Sequence, residues 1–257
     1  MSAVTSTPTA TIPGGFSRVW RVVRLLTANP TTVITWPLAI LGIIFVMNWA
    51  IWWLIYINLD SPQADDATDG IQFSGASTFI FVYMLVVAVQ SINLSFPLAL
   101  GFGATRRSFS LGSMLTFGML SVFFASIMTL GAWVEGLTNG WGLRGSFFRT
   151  IYFAVDDNWA GQWWVFFCWF AFFSFVGMIF AAVFVRWKGF GLTTAFILLG
   201  VALLAGVAVL TFTDSWLAFW EGLGELGVLG ISSSAFVIAL LSVPLSHLLL
   251  RRATPRG

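Results

Sequence analysis

Few side chains in this sequence can do chemistry, and their spacing rules most of it out. There is one histidine, His247, and one cysteine, Cys168, whereas haem or iron–sulfur ligation needs several of either. Cys168 stands among Trp and Phe inside a long apolar run, where a thiol serves as a small packing residue. The run Ser232-Ser233-Ser234 offers hydroxyl nucleophiles, but His247 lies at the far end of the same predicted helix, about 20 Å away by helical rise. A dyad within that helix is excluded. No His-Glu-x-x-His or other metal-ligand set occurs. The sole lysine, Lys188, follows Val185-Arg186-Trp187, and the chain has no Gly-x-x-x-x-Gly-Lys. Any energised work must therefore draw on another polypeptide.

The elements that would position the remaining polar groups are membrane helices. The 257 residues are 58% hydrophobic and only 9% charged, which no soluble domain of this size tolerates. A bilayer core takes roughly 20 apolar helical residues to cross. Six windows free of Asp, Glu, Lys and Arg meet that length, at 33–57, 73–102, 109–134, 161–185, 190–212 and 227–250. Their continuous apolar character predicts helices rather than the alternating strands of a barrel. The expected fold is all-α, a polytopic protein with six transmembrane helices.

Charge sets the expected topology. Basic residues cluster at Arg18/Arg21/Arg24, Arg106/Arg107, Arg186/Lys188 and Arg251/Arg252/Arg256. Acidic residues fall between them, at Asp60/Asp65/Asp66/Asp69, at Glu135 with Asp156/Asp157, and at Asp214/Glu221/Glu225. If the basic clusters stay cytoplasmic, each interval crosses the membrane twice, which places both termini inside. The positive charge then lies at lipid headgroups, which argues against a nucleic-acid partner and for membrane lipid.

Four regions follow: a disordered tail at 1–15, an amphipathic interfacial helix at 16–29, a six-helix domain at 30–250 and a basic cytoplasmic tail at 251–257. In the second, three-residue spacing keeps Arg18, Arg21 and Arg24 near one face, opposite Trp20, Val23 and Leu26. The second apolar stretch, about 30 residues, is expected to outrun the bilayer and project into the cytoplasm, ending in the basic turn Gly103-Ala104-Thr105-Arg106-Arg107-Ser108. Outside, 136–160 reads as an amphipathic helix on the interface, and 213–226 as a segment able to dip into the membrane and return at its glycines. Trp49/Trp52/Trp53, Trp163/Trp164 and Trp216/Trp220 fall near outer boundaries and read as interfacial anchors.

No span carries a carboxylate, which argues against a pump or an ion-coupled carrier. The strongest polar groups in the spans are Asn48, Gln90 and Asn93. Each is either a cavity-lining group or a hydrogen bonder between packed helices, worth about 0.6 kcal/mol in membranes.

In its flat N-terminal helix, its extended second helix with a basic turn, its six spans and its lack of a nucleotide motif, the chain resembles the membrane permease subunit of a bacterial ABC exporter. That resemblance implies an inner-membrane, non-catalytic subunit. It implies two kinds of partner, a separate ATPase that binds ATP and Mg, and a second permease subunit, the same chain or a different one. Carried onto this sequence, it implies that Thr105, Arg106, Arg107 and Ser108 make the ATPase-coupling contact, flanked by Arg18, Arg21 and Arg24. The alternative role of these arginines is to anchor topology. A non-transporting membrane scaffold, or a secondary carrier of a neutral substrate, remains the rival reading.

Overall fold

The computed structural model describes residues 15–58, 75–150, 153–155 and 158–251. Residues 1–14 of the tail expected at 1–15, the acidic group Asp60/Asp65/Asp66/Asp69, Tyr152, Asp156, Asp157, Arg252 and Arg256 lie outside the described residues. Every regular element among the described residues is helical. In chain order they are α1 (Gly15–Leu26), α2 (Trp36–Asn58) after a π-helical turn at Thr31–Thr35, α3 (Phe79–Gly101) after a 3-10 turn at Ala76–Thr78, α4 (Arg106–Leu137), α5 (Trp159–Phe212) and α6 (Trp216–Arg251). Five of these helical stretches, α2 to α6, are long and apolar enough to cross a membrane. All-helical among the described residues, with several long apolar helices, the chain has the make-up of a multi-pass membrane protein.

The 54-residue α5 is not one rod. Lys188 breaks it with φ 57° and ψ −148°, close to a region that only glycine enters freely. The rings of Phe180 and Phe196 lie 5.2 Å apart and nearly parallel, where a straight helix would separate them by about 24 Å. The halves 159–187 and 189–212 therefore fold back on one another, with the windows at 161–185 and 190–212 on either side of the break. Gly227, at φ 59° and ψ −179°, breaks α6 in the same way.

The core lies among α3, α4 and the first half of α5. Phe81 and Phe170 meet at 4.6 Å, Phe124 and Phe170 at 5.6 Å, and Phe96 and Phe109 at 5.2 Å. In lipid, packing and small residues bring helices together, since tails are as apolar as leucine. A Cβ on Gly177 would stand 2.8 Å from the carbonyl oxygen of Leu85, so α5 can approach α3 only at a glycine. Cys168 is fully buried and packs as expected. The serine run is used structurally: the indole N–H of Trp164 donates to Ser233 at 3.0 Å and that of Trp169 to Ser232 at 3.2 Å.

The second apolar stretch is helical over 26 residues, Ala76–Gly101. Three expectations change. Among the described residues of 136–160 no interfacial helix forms. Trp141 and Gly142 leave helical geometry, and Phe147 and Phe148 turn into the core. Trp52 is buried against Gly145 rather than seated at a lipid interface. Finally, α1 buries Val22, Val23 and Leu26 while Trp20 stays partly exposed, and its apolar edge rests on protein. A Cβ on Gly112 of α4 would come within 2.5 Å of the Val22 Cβ, so this glycine admits α1.

Candidate functional site

The turn from α3 to α4 is determined almost atom by atom by its sequence. Gly103 takes φ +79°, and Ala104 N–H donates to Ala99 O at 2.9 Å while Gly103 N–H donates to Leu100 O at 3.0 Å. These bonds satisfy carbonyls at the end of α3 in the Schellman arrangement, which needs a left-handed residue and so favours glycine. Thr105 follows immediately as the N-cap of α4. Its hydroxyl oxygen accepts from Ser108 N–H at 3.1 Å, and the Ser108 hydroxyl donates back to Thr105 O at 2.8 Å. Thr105 and Ser108 thus close the start of the helix, and Ser108 is buried.

Arg106 is occupied as well. Its Nη1 donates to Leu250 O at 3.0 Å and to Arg251 O at 2.7 Å, capping the end of α6. Cations are favoured beside the carbonyls of a helix C-terminus, so this contact joins the first turn of α4 to the last turn of α6. Arg107 points outward.

Of the seven residues implied in coupling, five divide between two cavities, while Thr105 and Ser108 line neither. One, of about 590 Å³, lies between α1 and the turn, with Arg18, Arg21 and Arg24 on one wall and Phe102, Gly103 and Ala104 on the other. Val22, Leu25 and Ala99 form its apolar floor. Phe102, 80% exposed, stands at its rim. The second, of about 580 Å³, is lined by Arg106, Arg107, His247 and Arg251. Among the described residues no carboxylate lines either cavity.

The in-membrane amides sit apart from both. Asn48 donates to Ile44 O at 2.9 Å within α2. Gln90 is exposed on the surface of α3 and Asn93 half-buried, and neither side chain hydrogen-bonds to a described residue. Pro97, inside the helix, carries no N–H for the Asn93 carbonyl. Three polar groups thus gather at mid-helix on the outer side of α3.

Glu135 was legible in the sequence only as an outer charge. It is 3% exposed. Its carboxylate accepts from the backbone N–H groups of Phe147 at 2.8 Å, Phe148 at 3.0 Å and Arg149 at 2.9 Å, and from the Trp141 indole at 3.1 Å. The glycines at 140, 142 and 145, which let the chain bend back, were the available signal. No group of His, Cys, Asp and Glu among the described residues could hold a metal.

No protein-family model matches this chain, and no curated protein or solved structure is significantly similar to it.

Proposed function

We propose that the chain is the transmembrane permease subunit of an ATP-driven exporter in a bacterial inner membrane, coupled to a separate ATPase at the groove between α1 and the α3–α4 turn. The observation that carries this reading is that α1 and the turn, 80 residues apart in sequence, jointly form a basic, apolar-floored groove with Phe102 at its rim. Arg21 and Arg24 can make charge-assisted bonds to carboxylates or carbonyls on a partner, and an exposed phenylalanine suits an apolar socket. Force applied there reaches α3 and α4 through a short, fully capped link. ATP and Mg belong to the partner.

In this reading α2, α3, α4, the two halves of α5 and 228–251 of α6 make six crossings, with both termini inside. The basic clusters then share one face of the membrane, as the positive-inside bias requires. Unpaired amides in hydrocarbon are costly. Gln90 and Asn93 are therefore assigned to a route enclosed with a second permease subunit, where water or the partner satisfies them.

The coupling site moves from Arg106 and Ser108, which hold helix ends, to Phe102 and the α1 arginines. The test is co-purification of the full chain with a P-loop ATPase from its own genome, followed by ATP hydrolysis in proteoliposomes. Replacing Arg18, Arg21 and Arg24 by Ala, or Phe102→Ala, is expected to lower association and stimulated hydrolysis at least about tenfold, one to two charge-assisted bonds' worth. Unchanged association in both variants would reject the coupling site. Failure of the wild type to bind any ATPase would favour the scaffold reading, in which Gln90 and Asn93 face another membrane chain.

A further inference from the structure

The second basic cavity, between the start of α4 and the end of α6, has no part in the coupling reading and does not depend on it. Arg106, Arg107, His247 and Arg251 converge there, and no carboxylate among the described residues lines it. Arg106 is already committed to the carbonyls of Leu250 and Arg251, which leaves the guanidinium groups of Arg107 and Arg251 as the exposed donors. The Nδ1 atom of His247 is buried without a hydrogen-bond partner. Like charges gathered in one cavity call for an anion, and planar guanidinium forks match phosphate geometry.

The surroundings of the cavity choose among phosphate carriers. On α4, Leu111 and Leu115 follow Arg107 at four-residue steps, so they continue down the same face, and both are exposed. On α6, Leu248 and Leu241 lie three and ten residues before Arg251 and are likewise exposed. Cationic groups at a helix end above bare leucines on membrane helices reproduce the layout of a phospholipid, headgroup over acyl chains. A soluble phosphate ester would make no use of the leucines.

We propose that this cavity holds the phosphate headgroup of an anionic phospholipid. Arg107 and Arg251 pair with the phosphate oxygens beside His247, and the acyl chains lie along Leu111 and Leu115 and along Leu241 and Leu248. Because Arg106 clamps α6 to α4 at the same place, the bound lipid braces the junction of the two helices.

The experiment is native mass spectrometry of the full chain taken from vesicles of equal phosphatidylglycerol and phosphatidylcholine. The wild type should retain phosphatidylglycerol preferentially. Each arginine removed in R107Q and R251Q should lower that preference about fivefold, the contribution of one basic residue near an anionic surface. H247N, a milder change, should lower it less, and R186Q, a basic residue outside the cavity, should leave it unchanged. Equal thermal unfolding of wild type and variants in phosphatidylcholine alone would show that the fold is intact. No preference in the wild type, or an undiminished preference in the R107Q/R251Q double variant, overturns the proposal. Full displacement of the lipid by millimolar inorganic phosphate would instead assign the cavity to a soluble phosphate and overturn the lipid assignment.

Discussion

Arg106 donates to the carbonyl oxygen of Arg251 at 2.7 Å across 145 residues of sequence. The start of α4 and the end of α6 are therefore one structural unit. Arg106, which the family resemblance implies in partner contact, closes a helix of its own chain.

Replacing Arg106 with Ala removes two charge-assisted bonds at a half-buried site. The expected loss is about 1–2 kcal/mol, seen as a lower unfolding temperature in detergent and faster deuterium uptake over 245–251. Unchanged uptake there would show that the cap contributes nothing.

Glu135→Gln keeps the shape but replaces an acceptor oxygen with an NH2 group facing N–H donors. With four donors around one carboxylate, the expected destabilisation is about 2–3 kcal/mol. Proteolysis within 140–150 should become faster while total helix content holds. A variant as resistant to protease as the wild type would contradict this role.

Gly112→Ala places a methyl group 2.5 Å from the Val22 Cβ and 3.1 Å from the Val19 carbonyl oxygen. Backbone must move, so α1 should loosen from α4 at a cost of about 1–3 kcal/mol. Gly118→Ala, at a glycine of the same helix with open space around it, is the control. Deuterium uptake over 19–26 should rise in the first variant alone.

Lys188→Gly relieves a backbone conformation foreign to L side chains. A net gain of about 1 kcal/mol is expected after the entropic cost of glycine, raising the unfolding temperature by about 2–4 °C. Lys188→Val should lower it. If the valine variant matches the wild type, the turn is not strained.

Six crossings can be read by labelling. In a Cys168→Ala background, single cysteines at Leu137 and Leu217, both well exposed, should react with a membrane-impermeant maleimide from outside. Cysteines at Phe102 and Phe190, also exposed, should react only after permeabilisation. Outside labelling at Phe102 would reverse the topology and remove the proposed ATPase-docking groove from the cytoplasm.

Legibility followed sequence distance. The turn at Gly103 to Ser108 was recognisable because its determinants are local: a left-handed glycine and a threonine cap three residues before its serine partner. The membrane helices were recognisable because long apolar runs are themselves the signal. The loop after α4 was misread as a helix because its aromatic and basic residues mix in amphipathic fashion, whereas Glu135 and three glycines bend it inward. Trp52 was misassigned because a tryptophan near a predicted boundary looks the same in sequence whether it meets lipid or, as here, Gly145.

By itself, then, the sequence determined an all-helical membrane chain, the places where its helices could begin and end, and the segregation of its charges. Those properties depend on composition, period and local backbone chemistry, which every residue carries wherever it folds. Only the tertiary structure decided which arginines share a cavity. Arg18, Arg21 and Arg24 meet Phe102 because Gly112 admits α1. Arg106 and Arg107 meet His247 and Arg251 because α6 ends beside α4. Neighbourhood between distant residues is set by how helices pack, and packing rests on many small close contacts that no single stretch of sequence contains.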